Sequence, residues 1–182
     1  MKKNITIISL ILLLLVVVGC SNTGEKIQLP DTDRAGNAIE IPEKIEKIIS
    51  LAPSTTEILE ALGQKDKLIA VDNQSPFSVD GLNELPQFDM MAPDLEALGA
   101  LNPDVIYVTG MSNVGGEDPF QPLSDLGVTV IAIPSSTSIK SIQEDIQFVA
   151  DTLNVSEEGK KINDDLQAGI DQIAKIGETI TA

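Results

Sequence analysis

Few side chains in this chain are suited to chemistry: one cysteine, four methionines, one tyrosine and no histidine or tryptophan in 182 residues. Without imidazole there is no Ser-His-Asp or Cys-His pair, no His-bearing zinc site and no imidazole axial ligand. No Gly-rich phosphate loop, paired Cys cluster or nucleophile–base pair occurs, and Asp31 and Asp33 lack EF-hand spacing. Neither catalysis nor a resident cofactor is expected; holding a ligand is. The residues suited to that are Ser54, Thr55, Asn73 and Ser112, with their hydroxyls and amide, and the thioethers of Met91 and Met111. A thioether is a soft, neutral donor that can hold a haem iron or contact a flat macrocycle, although methionine serves more often as core filler.

The single thiol has a different context. Lys2 and Lys3 precede an apolar run, 5–18, interrupted only by Thr6 and Ser9 and ending in Val17-Val18-Gly19-Cys20. The run suits a signal segment and falls short of the roughly 20 residues that span a bilayer. A small residue before a cysteine resembles the bacterial lipobox, which implies cleavage after residue 19 and a diacylglycerol thioether on Cys20. Residues 1–19 then read as a lipoprotein signal peptide and 20–26 as a polar tether. An ordinary signal peptide with an incidental cysteine and a short uncleaved anchor are the alternatives. Two or three acyl chains give stable anchoring where one is marginal.

Charge narrows the partners. Twelve basic residues against 28 acidic ones leave a formal charge of −16, which phosphate backbones repel, so nucleic acid is not an expected partner. At 42% hydrophobic and 22% charged, the chain is nevertheless globular in composition.

The elements that must position these groups alternate strand and helix. The segment 28–41 reads as a small hairpin turning at Arg34-Ala35-Gly36-Asn37. Strands are expected over 47–52, 67–71, 104–109 and 128–133, and 73–91 reads as irregular. Helices are expected over 55–62, from Pro93 to Leu101 with Asp94 and Glu96 in its first turn, and over 119–126. Ile139, Ile142, Ile146, Val149 and Leu153 mark an amphipathic helix. Ser156 is expected to cap a last, longer one whose apolar positions are Ile162, Leu166, Ile170, Ile173, Ile176 and Ile180. Near-continuous apolar strands separated by helices predict an α/β fold: a Rossmann-like parallel sheet with helices on both faces.

In such sheets ligands gather beyond the carboxyl ends of the strands. That rule selects the loops 53–55, 73–77, 110–117 and 134–138, which hold Ser54, Thr55, Asn73, Met111 and Ser112. Ser54-Thr55-Thr56-Glu57 reads as a capping box whose helix end favours anionic groups, or as a cap and nothing more.

Ile48-Ile49-Ser50-Leu51-Ala52-Pro53-Ser54-Thr55-Thr56-Glu57-Ile58-Leu59 resembles the opening of class III substrate-binding proteins of iron-complex and vitamin B12 ABC importers. The likeness continues through 68–72, 93–98, 101–106 and 123–130, and the turn 33–37 with Ile41-Pro42 resembles the iron-siderophore branch. The resemblance implies two α/β lobes clamping a ligand, joined by one long helix. Residues 27–155 would form the N-terminal lobe and 156–182 the interlobe helix, with the second lobe absent. It further implies a ferric siderophore, haem or cobalamin as transported ligand, ABC permease subunits as partners, and a lipid-anchored location on the extracytoplasmic face of the cell membrane. Glu117 falls where family members dock onto the permease, and Met91 where haem-binding members place an axial methionine. Thr109 stands where a B12-binding member would offer a large aromatic. The alternative is a single-lobe surface interaction module that transports nothing.

Overall fold

The computed structural model describes residues 29–110 and 118–181. Five parallel strands form one sheet: β1 (Ile48–Leu51), β2 (Leu68–Asp72), β3 (Gln87–Phe88), β4 (Val105–Thr109) and β5 (Thr129–Ile133). Their order is β3-β2-β1-β4-β5, so the direction of winding reverses beside β1. Ile48 pairs with both Leu68 and Val105, which makes β1 the central strand.

Both faces are covered, and side-chain alternation divides the core in two. Ile48, Val105 and Tyr107 point to one face, under Leu59 of helix α1 (Pro53–Ala61) and Val149 of α4 (Ile139–Thr152). Ile49, Leu51, Ile106 and Val108 point to the other, under Leu98 of α2 (Leu95–Ala100) and Leu123 of α3 (Gln121–Asp125). A final helix, α5 (Ser156–Thr181), folds back along α4. Gly159 lets the two approach closely, since a Cβ there would lie 2.5 Å from that of Ala150.

The parallel α/β sheet agrees with the expectation; several local details do not. The anticipated hairpin is one antiparallel bridge, Thr32 to Ala38, because Asp33 organises the turn instead. Its Oδ1 accepts the amides of Ala35 and Asn37, and its Oδ2 accepts the amide of Ala132 on β5 at 3.0 Å. Pro93 lies outside α2, whose N-cap is Asp94, accepting from the Ala97 amide at 3.0 Å. The stretch read as irregular contains β3, held by only two residues against Val71 and Asp72. Ser156 does not cap α5: the Val155 carbonyl accepts the first amides, and the buried Ser156 hydroxyl has no partner. Ile139 and Ile142 open the α4 stripe but are exposed; only its later positions reach the core.

Candidate functional site

The carboxyl ends of the strands form a rim, and α1 begins there. Pro53 takes the first helical position, which makes Ala52 the N-cap and places Ser54 inside the first turn. The expected capping box therefore does not form: Ser54 and Glu57 are exposed and no side chain caps the helix. Thr55 is buried, so of the pair only Ser54 reaches the rim surface. The first intrahelical bond runs from the Thr56 amide to the Ala52 carbonyl at 3.0 Å, so the Ser54 and Thr55 amides precede the helical ladder at the end that carries partial positive charge.

Beneath the rim lies a buried polar chain. Thr56 Oγ1 is 2.8 Å from Ser50 Oγ and 2.8 Å from Ser75 Oγ, and Ser75 Oγ makes a very short bond to Asp72 Oδ2. Asp72 Oδ1 also accepts the amides of Gln74 at 2.7 Å and Ser75 at 2.9 Å. All four side chains are fully buried. Each hydroxyl has one proton, and a carboxylate only accepts. Ser75 Oγ is placed to donate to Asp72 Oδ2 or to Thr56 Oγ1, Thr56 Oγ1 to Ser50 Oγ, and Ser50 Oγ to the Ala52 carbonyl. This relay ties the end of β1, the start of α1 and the 3-10 turn Ser75–Phe77 into one unit.

The turn after β2 presents Asn73, Gln74 and Phe77. Asn73 is exposed, with its amide on the Phe88 carbonyl at 3.0 Å. Phe77 is 86% exposed although Ser75 and Val79, on either side, are buried. Met91, after β3, is 51% exposed rather than packed in the core, and its amide donates to Asp89 Oδ1. Ser54 in the first turn of α1, Asn73 directly after β2 and Met91 shortly after β3 thus all stand at this edge. Met111, Ser112 and Glu117 lie outside the described residues, as does Cys20 with its signal segment and tether.

On the β4–β5 side the rim holds a cleft of about 370 Å³ between the 33–37 turn and the segment 118–121, with Thr109 and Gly110 at its base. A larger groove of about 440 Å³ runs between 38–43 and Val128–Val130, beside the sheet instead of over the strand ends. The strand-end rule favours the smaller cleft. The turn that walls it is held in place by ions. Arg34 donates from Nε to Asp145 Oδ1 at 2.7 Å and from Nη2 to Glu144 Oε2 at 3.0 Å. Ser136, in the loop after β5, donates to the other Asp145 oxygen at 2.5 Å. The bond to Asp145 pushes the Arg34 pKa up, and the guanidinium holds the Glu144 carboxyl below its usual range. Sequence reasoning missed both networks; the Asp72-x-x-Ser75 spacing, which lets one carboxylate gather the next turn's amides, was the available signal. Among the described residues no cluster of three potential metal ligands occurs, and no helix is long and apolar enough to cross a membrane.

The sequence model of the family described as periplasmic binding protein matches residues 48–182. An uncharacterized ABC transporter substrate-binding lipoprotein of Bacillus subtilis, YvrC, is 24% identical, covering 100% of this chain and 61% of its own length. A vitamin B12-binding protein of Vibrio parahaemolyticus is 29% identical over 65% of this chain and 42% of its own. The molybdate-binding protein MolA of Haemophilus influenzae is 25% identical over 81% and 42%. Among solved structures, a possible iron-binding periplasmic protein of Staphylococcus epidermidis superposes with a TM-score of 0.67 at 27% identity, covering 72% of this chain and 51% of that one. The chain thus spans between two fifths and three fifths of the length of these relatives.

Proposed function

Because the chain belongs to the periplasmic binding protein family, we propose that it is the ligand-capturing component of an ABC importer, held at the extracytoplasmic face of the cell membrane by a lipid on Cys20. Its cargo in this reading is an iron complex (ferric siderophore or haem) or cobalamin, received at the rim by Ser54, Asn73, Met91, Met111 and Ser112, with buried Thr55 behind Ser54, and passed to a permease that Glu117 contacts. The observation that carries the reading is the reversal of winding beside β1, with the relay-pinned loops above it, in a chain the family matches from β1 onward. Ligands of open α/β sheets sit at that point. Support for the anchor comes from Gly19-Cys20 after an apolar run and from a lipoprotein among the relatives.

Equilibrium dialysis of the full chain against cyanocobalamin, haemin and a ferric hydroxamate tests the capture. Saturable binding of at least one supports it, and failure of all three rejects it. Cys20→Ala should move the protein from the membrane to the soluble fraction; retention on membranes rejects the anchor. Glu117→Ala should weaken co-purification with the permease and leave ligand binding intact, and an unchanged association removes Glu117 from the interface.

A further inference from the structure

We infer that Asp80 is a site of spontaneous covalent modification, where the chain cyclises with Gly81 and reopens as isoaspartate. The chemistry needs only water, and it holds whatever ligand the rim receives.

Of all the Asp and Asn residues in the chain, only Asp80 is followed by glycine. A side chain on the following residue hinders its amide nitrogen from reaching the preceding carboxyl carbon, and glycine has none. Asp80 and Gly81 are both exposed, in the turn that leads from Ser75–Phe77 to β3. Gly81 holds a φ of +85°, and a Cβ there would meet nothing within 4 Å, so the ring has room to close.

Little has to be given up for the attack. The only hydrogen bond at Asp80 among the described residues is to its main-chain carbonyl, from Lys65 Nζ at 3.3 Å. Its side-chain carboxyl is therefore free to turn toward Gly81, whose amide donates to no described carbonyl. The Lys65 contact also assists. A cation on that oxygen draws electrons through the conjugated Asp80–Gly81 peptide bond and eases loss of the Gly81 N–H proton.

The reaction is an isomerisation in two steps. The Gly81 nitrogen attacks Cγ of Asp80 in its protonated carboxyl form. An N–Cγ bond forms, a Cγ–O bond breaks, and the amide proton leaves with the hydroxyl as water, which gives a succinimide. Water then adds to the Asp80 main-chain carbonyl carbon, and the bond from that carbon to the Gly81 nitrogen breaks. The chain now runs through Cβ and Cγ, and the former carbonyl is a carboxylate on Cα. One water leaves and one returns, so no oxidant or reductant takes part.

The position of the turn gives the change a structural cost. Residues 80 and 81 alone link Val79 and Leu82, which are buried in the same core cluster. The Val79 amide is on the Ser75 carbonyl at 3.0 Å, and the Leu82 carbonyl accepts the Leu85 amide at 3.1 Å. An extra backbone carbon, about 1.5 Å of chain, displaces one of these neighbours from a close-packed site. Beyond Leu85 lies β3, paired through only two residues, so the modified chain is loosened at that edge of the sheet.

Ageing the full chain at neutral pH and physiological temperature, followed by peptide mapping with an isoaspartyl-specific carboxyl methyltransferase as reagent, tests the site. Isoaspartate should accumulate at position 80 ahead of every other Asp and Asn, through a transient peptide lighter by one water. Asp80→Glu, which would have to close a larger and slower ring, should stay unmodified. Asp80→Asn, which expels ammonia in place of water, should convert faster than the parent. The urea midpoint of the aged parent should fall and that of aged Asp80→Glu should not. An aged parent without isoaspartate at position 80, or an equal amount of modification in Asp80→Glu, overturns the site. Isoaspartate at position 80 with an unchanged midpoint overturns the structural cost.

Discussion

Replacing Asp72 with Ala and, separately, with Asn measures what this buried carboxylate holds together. Asp72→Ala removes the acceptor of the Gln74 amide, the Ser75 amide and the Ser75 hydroxyl. Gln74 is exposed, so its amide can turn to water, and the Ser75 hydroxyl keeps Thr56 Oγ1 as an acceptor; the buried Ser75 amide has neither recourse. One stranded donor at about 1–3 kcal/mol gives a loss of about 2 kcal/mol, a sizeable part of the roughly 5–15 kcal/mol that stabilises a domain. In Asp72→Asn the side-chain oxygen can keep the backbone amides while the NH2 faces Ser75 Oγ. Ser75 must then accept, passing its own proton to Thr56, Thr56 to Ser50, and Ser50 to the Ala52 carbonyl 3.3 Å away. Every hydroxyl keeps a partner and the series ends on the longer bond, so the cost is below about 1 kcal/mol. Urea unfolding followed by circular dichroism, with the slope checked for two-state behaviour, gives both numbers. Equal losses in the two variants, or a loss below about 1 kcal/mol in Asp72→Ala, would refute the reasoning.

Other perturbations follow from the same contacts. Arg34→Ala should cost about 1 kcal/mol at neutral pH, mainly through Asp145, which keeps only Ser136. Because Arg34 lowers the Glu144 pKa, its contribution through Glu144 is complete above the ordinary carboxylate value of about 4.3 and disappears as pH falls through the lower folded value; the gap in urea midpoint between parent and variant should narrow in that acid range. Tyr107, the only tyrosine in the chain, is fully buried, and burial raises its pKa despite the 2.6 Å bond to Thr152. Its stabilising protonated state is complete below pH about 10 and is lost as pH rises further, so ultraviolet phenolate absorbance should appear only together with unfolding; a separate earlier titration contradicts the burial. Gly159→Ala forces its Cβ against Ala150 and should cost about 1–3 kcal/mol, part of which Ala150→Gly recovers in the double variant.

How much of this the sequence disclosed depended on whether the signal was periodic. Strands such as Val105–Thr109, apolar at nearly every position, announced a sheet buried on both faces, and the Ile146–Val149–Leu153 spacing announced α4. Two-residue β3 has no period to read and exists only because β2 offers its edge. The α1 cap was misassigned because Ser54-Thr55-Thr56-Glu57 matches the capping pattern, yet Pro53 shifts the helix start by two residues and moves Ser54 past the capping position. Rim segments could be selected from the strand-end rule, and Ser54 and Asn73 do stand at strand ends, whereas Met91 follows β3, a strand the rule had no means of using. What composition could not show was which polar residues turn inward: Asp72, Ser75 and Thr56 look like surface residues in sequence and are buried because they satisfy one another. Likewise the pairing of Arg34 with Asp145 spans 111 positions and leaves no local trace.

That long-range pairing also determines how the fold carries mechanical load. Tension entering the chain ahead of Leu29 is met first by the Asp33 contact with Ala132 and the Arg34 fork on α4, and only afterwards by the ladders of the sheet. These few polar bonds are only the first in line: the Thr129 bond to the Glu40 carbonyl, the packed Ile39, Ile41 and Ile45, and the Asp104 bonds to the Glu46 and Lys47 amides stand between them and Ile48. Load applied ahead of Leu29 is therefore met at β5 and α4 before it reaches β1.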